Sequence, residues 1–115
     1  MPTLGIHGTS DLRVSYYNRI GINSAPDTAR FFARRNGCLG QPVRSRQPDI
    51  SFDLTTVDLD RWDACASGKP MRFYTVNGGG HAWPGTETPG LLLGPTSQDI
   101  DATRVIWDFF RTQVR

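Results

Sequence analysis

The sequence contains little lysine and no long apolar run. Of its 13 basic residues only Lys69 is a lysine, and the arginines are scattered along the chain. Nucleic-acid-binding domains usually concentrate their cations in a patch or stripe, so we expect no nucleic-acid partner. No apolar run approaches the roughly 20 residues that a membrane helix needs. Residues 1–4 also lack the features of a signal peptide, so we expect neither a membrane partner nor a targeting segment.

Two motifs that would indicate particular sites are also missing. The sequence has no Gly-x-Ser-x-Gly, the motif that places a nucleophilic serine on a strained turn between a strand and a helix. Ser10 lacks those flanking glycines and is not expected to act as a nucleophile. The cysteines lack the close spacing and the partner histidines of zinc motifs. We therefore expect no metal site and no cofactor.

The chain has two cysteines, Cys38 and Cys65, each near a turn sequence containing glycine. If they are bridged, they close a loop of about 27 residues, which stabilises a fold by about 3–4 kcal/mol in the chain-entropy model. A bridge implies an oxidising compartment. The alternative is two buried free thiols. With 115 residues, the chain is the size of one small domain, so we expect a single domain over residues 1–115.

The first half of the chain predicts a strand followed by a helix. Residues 3–7 form a short apolar run without strict alternation, which is typical of a strand covered on both faces. Residues 24–27 (Ser-Ala-Pro-Asp) match a capping box with proline in the first turn. Apolar residues follow at helical spacing and Asn36-Gly37 ends the pattern, which predicts a helix over about 25–36.

The second half predicts two strands and a closing helix. Residues 51–55 alternate like a half-exposed strand and residues 71–77 form another, with turn residues between them, so we expect an antiparallel pair. Thr96 and Asp99 match a second capping box. The helix that would follow carries five apolar residues, namely Ile100, Val105, Ile106, Phe109 and Phe110.

A glycine-rich segment that contains a histidine directly follows the last predicted strand. Residues 78–85 read Gly-Gly-Gly-His-Ala-Trp-Pro-Gly, and glycines let the backbone turn sharply and approach another segment closely. An imidazole held there, at His81, can act as a base. Asp11 lies in the turn after the first predicted strand, where a carboxylate that orients a histidine belongs. We expect the two strands to be parallel neighbours, because α/β sheets hold their ligands at the carboxyl ends of strands.

Five segments together carry a family resemblance. In order they are residues 6–11 (Ile-His-Gly-Thr-Ser-Asp), 36–38 (Asn-Gly-Cys), Cys65, 79–85 (Gly-Gly-His-Ala-Trp-Pro-Gly) and 106–110 (Ile-Trp-Asp-Phe-Phe). They resemble the C-terminal part of the α/β-hydrolase esterases grouped with polyhydroxybutyrate depolymerases, feruloyl esterases and acetylxylan esterases. The resemblance implies an α/β fold, the C-terminal portion of a hydrolase sheet with the order strand, helix, strand pair, helix.

The resemblance also implies roles for individual residues. Asp11 and His81 would be the acid and the base of a Ser-Asp-His triad, and Cys38 and Cys65 would be bridged. The serine and the oxyanion hole of that family lie earlier in its chains, so the N-terminal half of the domain would be a partner. The substrate would be a polyhydroxyalkanoate, feruloyl or acetyl ester, and the location extracellular or periplasmic.

Some roles remain open from the sequence. Trp83 either lines a substrate pocket or packs the turn. His7, at a strand end, is expected to satisfy a local hydrogen bond rather than to take part in chemistry. A second function class is a non-catalytic remnant or binding domain, in which Trp83 and Trp62 contact a polymer or a sugar.

Overall fold

The computed structural model describes residues 2–10, 16–17, 24–49, 55–80, 84, 97 and 99–113. The elements in these ranges are β1 (Thr3–Gly8), α1 (Ala25–Arg35), β2 (Val43–Arg46), β3 (Thr56–Trp62), β4 (Met71–Asn77) and α2 (Ala102–Arg111). The strands form one mixed sheet in the order β1-β4-β3-β2. The arrangement is α/β, as the sequence predicts.

The first and the last strand of the described residues are neighbours in the sheet. β1 pairs with β4 in parallel, with Thr3 opposite Met71 and Gly8 opposite Val76. The sequence prediction of two parallel neighbours is therefore confirmed. Because the strands run in the same direction, their carboxyl ends meet at one edge of the sheet. The other two pairings, β4 with β3 and β3 with β2, are antiparallel.

The two helices cover opposite faces of this sheet. Side chains at alternate positions of β4 point to opposite faces. On one face Met71, Phe73 and Trp62 pack with the alanines of α1. On the other face Val76 packs with Val57 of β3, together with Ile100 and, on α2, Val105. Each face of the central strand is thus closed by one helix.

Helix α1 begins and ends where the sequence predicts. The Ser24 hydroxyl accepts a hydrogen bond from the backbone N–H of Asp27 at 3.2 Å, which satisfies a donor of the first turn. Ala25, Ala29 and Ala33 are its buried residues, and their small side chains let the helix lie close to the sheet. The chain leaves the helix after Arg35 and turns at Gly37, which has a φ of 68°.

Helix α2 begins later than the sequence predicts. Its N-cap is Asp101, whose carboxylate accepts from the backbone N–H of Arg104 at 3.2 Å. Thr96 lies outside the described residues, and Asp99 precedes the helix. Ile100 is buried but belongs to the segment before the first turn. The predicted start of the helix is therefore wrong, because the carboxylate of Asp101 supplies the cap of α2.

The strand that pairs with β4 is also displaced from its predicted position. Residues 51–54 lie outside the described residues, and the observed partner is β3, over Thr56–Trp62. β3 carries Asp58 and Asp60, and both aspartates are buried. Their charges are balanced by guanidinium groups of the short strand β2, which the sequence did not predict.

The carboxylate of Asp58 stabilises the fold in a pH-dependent way. A hydrogen bond from Arg46 holds the pKa of Asp58 below its usual value. A depressed carboxylate pKa contributes stability above the unfolded-state value, about 3.9, and that contribution is lost as the pH falls through the folded-state value. We expect Asp58→Asn to lower the free energy of unfolding at pH 7 by about 1–3 kcal/mol. Urea unfolding from pH 7 to pH 3 should then depend less on pH than in the parent.

The control for this prediction is Asp49→Asn, which removes an exposed carboxylate near the same strand. It should leave the unfolding free energy at pH 7 unchanged within about 0.5 kcal/mol. Equal effects of the two substitutions would show that the buried position of Asp58 and its bonds to Arg46 do not matter.

Candidate functional site at the carboxyl ends of β1 and β4

The turns that follow β1 and β4 are hydrogen-bonded to each other. The backbone N–H of Ser10 donates to the carbonyl of Gly79 at 2.8 Å. The N–H of Gly78 donates to the hydroxyl of Thr9 at 2.8 Å, and the N–H of Thr9 donates to the carbonyl of Val76 at 3.0 Å. Backbone and side chain thus fix these two turns against one another.

Glycine is required for this close approach. A Cβ built on Gly8 would lie 2.2 Å from the carbonyl oxygen of Gly79, which is far inside van der Waals contact. A Cβ on Gly79 would lie 2.5 Å from Cγ1 of Val76. Gly78 adopts a φ of 79°, a conformation that side chains disfavour. The glycines that the sequence analysis singled out therefore serve to bring two backbone segments together.

The predicted site residues Asp11, His81 and Trp83 lie outside the described residues. Their chain neighbours Ser10 and Gly80 are described, and both belong to the paired turns. That the carboxylate of Asp11 faces the imidazole of His81 stays a prediction.

We expect Gly8→Ala to disrupt the paired turns. The added methyl group meets backbone rather than a flexible side chain, so the strand end must move. The free energy of unfolding should fall by about 1–3 kcal/mol, and the amide signals of Ser10 and Gly79 should shift in NMR spectra. Gly5→Ala is the matched control in the same strand. Its Cβ would meet only the Phe73 ring, at 3.2 Å, so its effect should be smaller.

His7 lies in β1 and packs against an aromatic side chain. Its ring meets the ring of Tyr16 edge-on, with centroids 5.7 Å apart. The hydroxyl of Tyr16 lies 3.1 Å from the hydroxyl of Thr75 in a buried hydrogen bond. His7 is thus part of the packing that ties the segment after β1 to the sheet.

Cys38 and Cys65 form a disulfide, as expected. Their Cα atoms are 3.8 Å apart, within the 7 Å limit for a bridge. The bond joins the end of α1 to the connection between β3 and β4. Beside it, the N–H of Leu39 donates to the carbonyl of Ala64 at 2.9 Å. A disulfide is consistent with an extracellular or periplasmic location.

Sequence reasoning missed a ladder of ion pairs between β2 and β3. Arg44 donates to Asp60 through two nitrogens, at 2.8 and 2.9 Å. Arg46 donates to Asp58 at 2.9 and 3.3 Å, and Asn77 donates to the same carboxylate at 3.0 Å. The sequence did contain a signal for these pairs. Arg-Ser-Arg at residues 44–46 and Asp-Leu-Asp at residues 58–60 each place like charges at alternate positions, on one face of a strand.

Comparison of the chain with protein-family models, with curated proteins and with solved structures finds no match. Within the part of the chain that the structure describes, no helix has the length and apolar character needed to cross a membrane. The same residues include no group of three or more His, Cys, Asp or Glu side chains placed to hold a metal ion. The family resemblance rests on the sequence motifs alone.

Proposed function

We propose that this chain supplies the acid and the base of a serine esterase triad. Asp11 orients the imidazole of His81, and His81 transfers protons. The observation that carries the proposal is the pair of hydrogen-bonded turns at the carboxyl ends of β1 and β4. The contact between Ser10 and Gly79 lies one residue before Asp11 and two residues before His81.

The chemistry needs both residues in one place. A serine hydroxyl is a weak nucleophile until a base within hydrogen-bond reach accepts its proton. The carboxylate holds the imidazole in the productive tautomer and stabilises the imidazolium that forms as the serine attacks the ester carbonyl. The imidazolium then protonates the leaving alkoxide, and the acyl-enzyme is hydrolysed by a water that the same imidazole activates. Asp11 stays ionised throughout.

The nucleophilic serine and the oxyanion hole come from an N-terminal half of the hydrolase domain. A missing oxyanion donor alone costs about 3–4 kcal/mol of transition-state stabilisation. The isolated 115-residue chain therefore has no ester-hydrolysing activity. The edge of β1 that β4 does not pair is the place where the sheet would continue.

The substrate class follows from the motif resemblance. Polyhydroxyalkanoate, feruloyl and acetyl esters are the three candidates, and Trp83 in the histidine turn would contact the acyl group. The enzyme would work in an extracellular or periplasmic compartment. The disulfide between Cys38 and Cys65 supports that location, because such bonds persist in oxidising surroundings.

The experiment compares two proteins on an activated acyl ester such as p-nitrophenyl acetate. One is the chain as it stands, and the other is extended by the polypeptide encoded before Met1. The extended protein should turn over substrate and the short chain should not. An upstream sequence without Gly-x-Ser-x-Gly contradicts the proposal, and so does His81-dependent turnover by the short chain.

A further inference from the structure

A cavity of about 300 Å³ lies between α1 and the β2–β3 side of the sheet. Tyr16, Trp62 and Phe73 contribute aromatic surface to it, and Gln41, Arg44 and Asp60 contribute polar groups. Small-molecule sites are clefts in which a few polar groups fix the orientation of the ligand. This cavity is mixed and presents polar and apolar surface in similar amounts. The volume of about 300 Å³ is at the lower end of the range for small-molecule sites, which suits a single ring rather than a polymer chain.

This cavity is separate from the proposed catalytic edge. Phe73 lies five residues before Gly78, the residue that directly follows β4, which corresponds to about 16 Å along an extended chain. Asp60 is paired with Phe73 across the β3–β4 ladder, so it lies at the same level. A ligand in the cavity is not positioned for attack at the carboxyl ends of β1 and β4.

The charged groups at the cavity are already balanced within the protein. Arg44 donates through Nε and NH2 to the two carboxylate oxygens of Asp60, at 2.8 and 2.9 Å. Arg30, which also borders the cavity, is paired with Asp27 one helical turn earlier. The site therefore does not need a counter-ion. Its electrostatics favour a neutral ligand over an anion or a cation.

The polar groups offer both donors and acceptors within a small volume. Each oxygen of Asp60 has a further lone pair after accepting from Arg44, and the amide of Gln41 carries a donor and an acceptor. The rings of Tyr16, Trp62 and Phe73 are 5–8% exposed, so this apolar surface is already largely removed from water. A ligand that fits has hydroxyl groups around its rim and C–H groups on its faces.

We propose that this cavity binds a single neutral sugar ring. The ring places its C–H groups against the small exposed parts of the aromatic side chains and its hydroxyls toward Gln41, Arg44 and Asp60. This inference goes beyond ester hydrolysis, since it assigns a binding site on another part of the sheet and holds whether or not the chain contributes to a triad.

The test is an NMR titration of the ¹⁵N-labelled chain with D-glucose, D-xylose and, for comparison, benzoate. At least one sugar should shift the indole N–H signal of Trp62 and the side-chain amide of Gln41 saturably. A Kd of about 1–10 mM is expected, because a small polar ligand buries little area. Benzoate should leave both signals unchanged at the same concentrations.

Two glutamine variants provide the control. Gln41→Ala removes an exposed wall residue and should weaken sugar binding about fivefold through one lost hydrogen bond. Gln47→Ala, six residues further along, should leave the Kd unchanged. The proposal is overturned if neither sugar gives saturable shifts, if benzoate binds in their place, or if the two variants weaken binding equally. None of these outcomes depends on esterase activity.

Discussion

Replacement of His81 by alanine in the extended protein is expected to lower kcat for ester hydrolysis by about 10⁴-fold to 10⁶-fold. In the proposed triad the imidazole acts as base in serine attack and as acid for the leaving group, so its loss would remove both proton transfers. Triad knock-outs in serine hydrolases cause losses of this size, while binding and the oxyanion hole leave a small residual rate. KM should change much less than kcat. Initial rates on p-nitrophenyl acetate measure both constants.

The chain offers a matched control in its second histidine. His7 packs against Tyr16 and has no place in the proposed chemistry, so His7→Ala should keep kcat within about tenfold of the parent. Asp11→Asn should lower kcat by about 10⁴-fold, because it favours the wrong tautomer of the histidine. A His81→Ala protein that keeps more than a tenth of the parent activity would remove His81 from the mechanism.

Loss of the disulfide is expected to have the largest effect on stability. The bond closes a loop with a sequence separation of 27 residues, which corresponds to about 3–4 kcal/mol in the chain-entropy model. For a domain of this size the Tm should fall by about 10–15 °C. The Cys38→Ser/Cys65→Ser double variant and the reduced parent protein should unfold at the same temperature. Thermal unfolding followed by circular dichroism measures both.

Mass spectrometry completes this test. Reduction of protein made in an oxidising compartment should add two hydrogens, which raises the intact mass by about 2 Da. Full alkylation of both cysteines before reduction, or a Tm that reduction leaves unchanged, would contradict the bridge and its role.

Local signals predicted three elements well. β1 is an apolar run that ends at a glycine, and β4 has the pattern of a half-exposed strand and is followed by glycines. α1 has a serine cap, a proline in its first turn and an Asn-Gly ending. In each case the local sequence contains the signals that define the element. These are the spacing of its apolar residues and, at its ends, a capping residue or a glycine. The parallel pairing of β1 and β4 also followed, because both predicted strands end in glycine-rich turns.

The remaining elements depend on contacts that a local pattern does not contain. β3 carries two buried aspartates, and buried carboxylates are rare unless they are paired. Their partners, Arg44 and Arg46, lie in a four-residue strand whose residues are all exposed. The pairing of β2 with β3 brings these charges together, so neither strand is evident from its own sequence. The start of α2 was misplaced because its cap is the carboxylate of Asp101, which the sequence prediction did not consider.

For the candidate site, the sequence predicted which strands meet but not how their turns contact each other. The glycines indicated a close backbone approach, which the contact between Gly8 and Gly79 provides. The hydrogen bond from the N–H of Gly78 to the Thr9 hydroxyl could not be predicted from the sequence, because a threonine in a turn has many other roles. The disulfide was expected from turn positions and from the resemblance, and it is present.

The pairing of β1 with β4 also determines the order in which this chain completes its fold during synthesis. Thr3 and its partner Met71 are 68 residues apart, so β1 and β4 cannot pair until the residues from Met71 onward have been made. At about 5–20 residues per second, that interval lasts several seconds. β2 and β3 are closer in sequence and can pair earlier, and Cys38 and Cys65 are both made before β4. Until then the edge of β1 that pairs with β4 is open to pairing with other chains. Expression yield should therefore depend on chaperones that shield β1 during those seconds.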